Sequence, residues 1–522
     1  MLDIKFIREN VDKVKKAITD KRINLDLEEL LDLDEKRRDL LTELESVQAT
    51  KNQTSKDFPK LSAEEKKVRL LEMKELDSKN EGLKEKVDEV IVKYQELMYL
   101  VPNIPSPETP IGADSAGNVP WRYWNETLGV VDPTKDADKI KEIAPKFDFE
   151  IKDHIALGKE LDLIDTEAGV KTSGFRGYYL KNEAVLMQYG LIWLALKKMQ
   201  EKGFTLMVPP VLVREAPLYG SGHFPAGRPE IYQVLESKDV LVPSPDGKYM
   251  AEEGKENVFL AGTSEPSLLA YYADKTLNEK DLPIKISGVS SCYRSEIGSY
   301  GKDTKGIYRI HEFMKVEQVV LCKADIIEGD NWLENMREIA ESMLQDLKLP
   351  YRVLNICTGD MGAGKYKMYD IETWMPARKD YGETHSDSNL TDWQARRLNI
   401  KYKTTEGKTK FVYTLNNTVI ASPRILIAIL ENYQQKDGSI IVPDVLKPYV
   451  GKDVIGGKEK PVVVPTAPKP EEQHPMPSQP TATVAGKPQT VTIDPMIKLE
   501  DLESKMKQTT GDENSKNETP AE

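Results

Sequence analysis

Two stretches near the start of the chain place apolar residues at alternating three- and four-residue intervals. In the first, Leu30, Leu33, Leu40, Leu44 and Val47 keep the rhythm, with Arg37 at one skipped position. In the second, Met73, Leu76, Leu83, Val87, Val90, Tyr94 and Leu97 keep it, broken only at Asn80. That spacing predicts two long helices, each with one apolar seam. Gly82 is the only glycine and Pro59 the only proline among the first hundred residues. Pro59 cannot continue a helix, and Ser62 followed by Glu65 is a capping box that starts the next one. The segment therefore folds back on itself as an antiparallel arm, extending about 45 to 60 Å at 1.5 Å per residue.

Val101–Gly112, with four prolines, closes this region. From there to about Tyr449 short apolar runs alternate with Gly, Pro and Asn turns, as in a mixed α and β domain. Beyond it the chain is rich in proline and short polar residues and is expected to be mostly disordered, although Asp494 and Pro495 could cap a short helix carrying Leu499, Leu502 and Met506. The expected domains are 1–105, 106–450 and 451–522.

Charge narrows the function classes. A net charge of -13 excludes a uniformly basic nucleic-acid-binding surface, so such contact must be local. Lys36, Arg37, Arg38, Lys51, Lys56, Lys60, Lys66, Lys67 and Arg69 supply positive charge toward the outer half of the arm, interleaved with acids. They fit either the solvated face of a spacer or oligomerising coiled coil, or a rigid ruler that touches a partner. Cys292, Cys322 and Cys357 form no C-x-x-C pair, which points away from disulfides and sulfur-rich zinc sites and toward a reducing cytoplasm. The longest apolar run, Val185–Leu196, is interrupted by Gln188 and Tyr189 and is too short for a bilayer. The opening MLDIKFIREN has no apolar signal core, so a soluble cytoplasmic protein with no membrane association is expected.

The densest chemistry lies in CYRSEIGSYGKDTKGIYRIHEFMKVEQV, Cys292–Val319. Two strand-like ends flank a loop holding Gly298, Gly301, Gly306, Lys302, Asp303 and Lys305. Alternation puts Arg294 and Glu296 on one face of the first strand, and His311, Phe313, Lys315 and Glu317 on one face of the second. An Arg suits a phosphate, a Glu an amine or ammonium, and a Phe a planar base. The competing reading is a solvated hairpin with surface ion pairs. GDMGAGKY, Gly359–Tyr366, imitates a phosphate-binding loop, but Tyr366 stands where Ser or Thr must bind magnesium, and YKMYDIETWMP reads as a strand rather than the required helix. It is expected to be a turn near the site.

The R-S-E segment, the glycine-rich loop and R-I-H-E-F-M-K-V-E resemble motif 2 of class II aminoacyl-tRNA synthetases, in the form found in seryl-tRNA synthetases. GFTLMVPPVLV resembles motif 1, and LNNTVIASPRILIAILENYQ resembles motif 3. GTSEPSLLAYY, YGETHSDSNLTDWQARR, YDIETWMP and VPDVLKPYV match further family segments, covering about residues 1–450. The resemblance implies an α+β fold: an antiparallel sheet flanked by helices, preceded by the coiled-coil arm, with a disordered C-terminal tail. It also implies an ATP-dependent enzyme that activates L-serine and charges serine tRNA, and selenocysteine tRNA where that exists. The arm would hold the tRNA, and the motif 1 region would form a homodimer.

Site residues follow from the same resemblance. Arg294 would bridge the α-phosphate and the serine carboxylate, with Ser295 beside it. Glu296, Ile310 and Phe313 would hold adenine, and Arg424 the γ-phosphate. Glu383, Thr384, His385 and Ser386 would line the phosphates, Glu383 and Ser386 holding Mg2+. Thr263, Ser264, Glu265, Glu317, Asn416 and Thr418 would form the serine pocket. Its T-S-E and K-V-E segments match the form without zinc. His385 stands where the family usually has Ser; it could point away or touch the nucleotide. Two other readings are a relative charging another carrier, which would lack the arm, and a non-catalytic scaffold, which would not need the Arg294, Glu296, Phe313 and Arg424 set.

Overall fold

The computed structural model describes residues 1–60, 62–235, 257–297 and 305–456, and the backbone of 242–243 and 249–250. Gly298, Gly301, Lys302 and Asp303 of the motif 2 loop, and the C-terminal segment from 457, for which disorder and a short helix are expected, lie outside the described residues.

The arm is a pair of helices, α1 (Leu27–Asp57) and α2 (Ala63–Leu100). Asp26 caps α1 by accepting from the amides of Glu28 and Glu29, while Ser62 and Glu65 form the capping box that starts α2. Along the seam Leu30 and Val47 of α1 and Leu83, Val87 and Val90 of α2 are buried. Arg37 fills the skipped position by laying its guanidinium 4.6 Å from the Tyr94 ring centroid. It also donates to the fully buried Asp34 at 2.9 Å, which Arg38 contacts at 3.2 Å. Helices Ile4–Glu9 and Val11–Asp20 pack Ile7 and Val14 onto Leu27, Leu30, Met98 and Val101, making a root for the arm. Toward the tip Val68, Leu70 and Leu71 are exposed, so the seam there is thinner than at the root.

The second body is built on nine strands: β1 (Val119–Asn125), β2 (Gly129–Val131), β3 (Thr205–Met207), β4 (Ile284–Tyr293), β5 (Glu312–Cys322), β6 (Tyr351–Asn355), β7 (Lys367–Met375), β8 (Asp380–Asn389) and β9 (Tyr413–Ala421). Their spatial order is β2-β1-β6-β7-β8-β9-β5-β4-β3, and every pairing is antiparallel except β4 with β3. Helices α3 (Glu183–Glu201), α4 (Ile326–Asp346) and α5 (Ser422–Asn432) share one core with the sheet. Alternation along β5 sends Val316, Gln318 and Val320 toward these helices, and the Gln318 amide donates to the Met336 carbonyl of α4 at 2.9 Å. Each fully buried Leu or Ile there contributes about 1.5–3 kcal/mol.

Two irregularities open the other face. The β7–β8 register shifts between Ile371 and Glu372, leaving Thr384 as an extra residue, and the β5–β9 register shifts between Val316 and Glu317, leaving Val419 as another. The β8–β9 ladder stops at Asp387 and Asn417, so the two strands part beyond that point.

Candidate active site

Strand β4 ends at Tyr293, so Arg294 and Glu296 lie past the strand on which alternation places them. The Arg294 amide makes one more ladder-like bond, to the His311 carbonyl at 3.0 Å; the Ser295 amide turns to the Glu230 carbonyl at 2.9 Å. Glu296 then takes a left-handed backbone, φ 54°. His311 likewise precedes β5 and donates from Nδ1 to the Arg294 carbonyl at 2.8 Å. Phe313, Lys315 and Glu317 do share the open face of β5, within two adjoining hollows. Arg294, Lys315, Glu383 and Thr418 line both hollows and mark where they meet.

The first hollow is lined by Phe313, Tyr308, Ile310, Glu296 and Arg424. Arg294 places its guanidinium carbon 5.3 Å from the Phe313 ring centroid, and Arg424, on the first turn of α5, sits 4.4 Å from that of Tyr308. The Glu296 carboxylate lies between Arg176 at 3.2 Å and Arg309 at 3.4 Å. Arg424 donates to the Glu383 carbonyl at 2.7 Å and pairs with its carboxylate at 3.2 Å. Burial works to raise the Glu383 carboxyl, but Arg424, Arg294 and Lys365 together hold it below the usual carboxylate range.

Thr384 and His385 also line this hollow, but their polar atoms are committed elsewhere. The Thr384 hydroxyl meets Thr373 at 2.8 Å, and His385 holds Thr384 at 2.9 Å through Nδ1 and the Val419 carbonyl at 3.2 Å through Nε2. His385 thus bridges the two register shifts where β8 and β9 part. Burial pushes its imidazole down to about 4, so near neutral pH it is uncharged, with Nε2–H donating to the carbonyl.

The second hollow holds Thr263, Glu265, Glu317, Asn416, Thr418 and Ser386. Glu265 Oε1 accepts from Asn416 at 2.9 Å and from Gln394 at 2.6 Å. Lys315 donates to the Thr263 hydroxyl at 2.7 Å and forms a buried ion pair with Glu317. Burial raises both Glu265 and Glu317 above the usual carboxylate range, against the pull of Lys315. A carboxylate so placed gains from an incoming ammonium.

Two residues of the expected set are absent from the lining of both hollows. The Ser295 hydroxyl donates to the Pro229 carbonyl at 2.8 Å, and Ser264 is buried against Gly288, where any Cβ would come within 2.9 Å of its hydroxyl. Other residues join the site without having been assigned to it. Asp370 stands opposite Ser386 on the β7–β8 ladder and is driven well above its ordinary value by burial and Glu383. His223, held by Ser221 at 2.9 Å, is pushed down to about 3 by burial and by Arg294. Lys315 stood in the motif 2 pattern, and Lys365 in the glycine-rich segment.

The sheet, its helices and the two hollows define the catalytic core of a class II aminoacyl-tRNA synthetase; the family description "tRNA synthetase class II core domain (G, H, P, S and T)" matches residues 248–433. "Seryl-tRNA synthetase N-terminal domain" matches residues 1–105. A serine–tRNA ligase of Deinococcus radiodurans is 41% identical over 457 residues, 87% of this chain and 99% of the relative; one of Treponema denticola is 39% identical over 459 residues, 87% of this chain and 100% of the relative. The chain belongs to the seryl-tRNA synthetase family. Among solved structures, the Pyrococcus horikoshii seryl-tRNA synthetase complexed with ATP superposes with a TM-score of 0.74 at 36% identity, covering 88% of this chain and 100% of that one. A cytoplasmic serine–tRNA ligase of Naegleria fowleri in complex with AMP gives 0.70 at 28% identity, covering 88% and 99%.

Proposed function

We propose that the protein is an ATP-dependent serine–tRNA ligase. The observation that carries the reading is Arg294 at the junction of the two hollows, with an aromatic pocket on one side and carboxylate, amide and hydroxyl groups on the other. Adenine lies against Phe313, Ile310 and Glu296, and Arg424 steadies the outer phosphates. Glu383 and Ser386 would hold Mg2+ together with ATP, since their oxygen donors suit a hard cation, which would lessen phosphate repulsion. Serine fills the other side, its ammonium and hydroxyl meeting Glu265, Glu317, Asn416, Thr418 and Thr263. Those oxygen and amide donors fit an ammonium and include no thiol, so zinc is left out of the reading.

A serine carboxylate oxygen attacks the α-phosphorus, the bond to the bridging oxygen of pyrophosphate breaks, and seryl-adenylate remains. The carboxylate is already a nucleophile, so this step needs no protein base; positioning and charge neutralisation by Arg294 lower the barrier. A ribose hydroxyl of the terminal adenosine of serine tRNA then attacks the carbonyl, and AMP leaves. Alanine would leave hydroxyl partners unpaired, at about 1–3 kcal/mol for each group.

The α1–α2 arm is the tRNA-holding element, for serine tRNA and, where it exists, selenocysteine tRNA. A homodimer through the motif 1 region is supported by the exposed stripe Leu186, Tyr189 and Trp193 on α3 and by Val208, 84% exposed after β3. Among the described residues no helix is long and apolar enough to cross a membrane, and the cytoplasm is the proposed compartment. Serine-dependent exchange of pyrophosphate into ATP tests the reading, with alanine and threonine as controls. Arg294→Ala should lower it by about 100-fold or more. No serine dependence, or full activity in the variant, overturns it.

A further inference from the structure

The cations lining the two hollows differ in how they are compensated. Lys315 is paired with Glu317, Arg424 with Glu383, and Arg309 with Glu296. Arg294 and Lys365 have no carboxylate within ion-pair distance among the described residues; the Lys365 ammonium meets only the Met368 sulfur, at 3.2 Å. Lys365 lines the second hollow and not the first, and its charge acts on Glu265, Asp370 and Glu383. Its stem folds over Gly362, where an added Cβ would lie 3.8 Å from it.

The segment that presents Lys365 is fixed from behind. Lys21, buried in the root of the arm, donates to the Ala363 carbonyl at 2.9 Å and to the Lys365 carbonyl at 2.5 Å. The Asn103 amide donates to the Ala363 carbonyl at 2.9 Å, and its side chain to the Gly364 carbonyl at 3.1 Å. Gly364 lies so close to Trp393 that a Cβ would come within 2.6 Å of the indole. The Lys365 backbone is thus held in place while its side chain is left to serve the hollow.

Activation brings two anions together, the amino-acid carboxylate and the α-phosphate, and their repulsion calls for positive charge on both sides. Arg294 stands where the hollows meet. On the amino-acid side the only group of substrate that a second uncompensated cation can answer is the carboxylate. We propose that Lys365 is a substrate-binding residue for that carboxylate, holding it on the amino-acid side of Arg294 before it attacks. This rests on the ligase reading above.

The test uses the full-length protein as wild type, Lys365→Met and Lys365→Arg. Steady-state pyrophosphate exchange gives KM for serine and for ATP, and serinamide, which keeps the ammonium and hydroxyl but has no carboxylate, serves as a competitive inhibitor. A lost charge-assisted hydrogen bond corresponds to about a 10- to 100-fold change. Lys365→Met should raise KM for serine by that factor while leaving KM for ATP and the serinamide inhibition constant within about threefold, and Lys365→Arg should recover most of the loss. An unchanged serine KM overturns the proposal. So does equal weakening of serine and serinamide, which would mean a distorted pocket. Normal exchange with impaired tRNA charging also overturns it, since the cation would then serve a tRNA phosphate. A wild type without serine dependence removes the ligase reading itself, and the proposal with it.

Discussion

The arm and the catalytic cleft both carry closely spaced acids and bases, yet the same residue types do different work in the two places. Lys315 and Glu317 leave 7% and 3% of their side chains exposed, whereas Lys79 and Glu43, paired across the arm at 2.9 Å, leave 55% and 48%. In water the arm's pairs are screened and nearly neutral in energy, so its stability rests on the seam and the root. In the cleft each charge must be matched, and what the protein leaves unmatched is available to a ligand. Asp34 is the arm's exception: its fully buried carboxylate is held by Arg37 and Arg38, at the root.

The largest effect should come from separating the two regions. Replacing residues 45–82 by a short turn removes the outer arm and keeps Asp34, Arg37 and Tyr94 at the root. Charging of serine tRNA should be lost while serine-dependent pyrophosphate exchange stays within about threefold of wild type, because among the described residues none of the outer arm lines either hollow. Equal loss of both would show that the arm supports the cleft rather than the tRNA. Next in size is the buried pair itself. Lys315→Met leaves the Glu317 carboxylate buried without its partner, which should cost about 3–5 kcal/mol in denaturant unfolding. A cost below about 1 kcal/mol would mean that the cleft pair is as dispensable as those on the arm.

The two regions were also legible to different degrees. The arm could be read from local rules: the Ser62–Glu65 box, the break at Pro59 and the seam depend on residues a few positions apart. In the cleft, alternation placed Phe313, Lys315 and Glu317 on one face of β5 but carried Arg294 and Glu296 onto a strand that stops at Tyr293. It stops because the Ser295 amide is taken by Glu230, some 65 positions earlier, a contact that no local pattern encodes. The grip of Lys21 and Asn103 on the 363–365 backbone spans more than 250 positions and was equally hidden. GDMGAGKY shows the opposite difficulty: its signal was conspicuous and pointed to the wrong chemistry. The carbonyls of Ala363, Gly364 and Lys365 are occupied from the root, and the side chain of Lys365 is what faces the site.

Histidine 385 sharpens the comparison through pH. Its ordinary value is 6.5 and burial lowers it to about 4, so below pH 6.5 the unfolded chain takes up a proton that the folded one refuses. Folding stability therefore falls as pH drops from 6.5 to about 4 and levels off below, by about 3 kcal/mol from this group. His385→Gln keeps an N–H donor for the Val419 carbonyl and does not titrate. The stability difference between wild type and His385→Gln, from urea midpoints at pH 7 and pH 4.5, should shift in favour of the variant on acidification. A difference that does not change with pH would place His385 in contact with water and unlike the rest of the cleft.

The smallest expected effect is the most direct test of the contrast. Glu43→Gln removes the carboxylate of an exposed cross-arm pair, and both side chains are about half open to solvent. The Coulomb gain at that exposure is offset by the entropy of fixing two long side chains, and neither group is left desolvated when its partner goes. Unfolding free energy should change by less than about 0.5 kcal/mol, and less still at 1 M salt, where screening acts within about 3 Å. If Glu43→Gln instead costs as much as Lys315→Met, the arm's charges are structural, and its outer basic residues cannot be treated as a surface free to meet tRNA. If it costs nothing while tRNA charging keeps a steep dependence on salt, the charges of the arm act on the partner rather than on the fold.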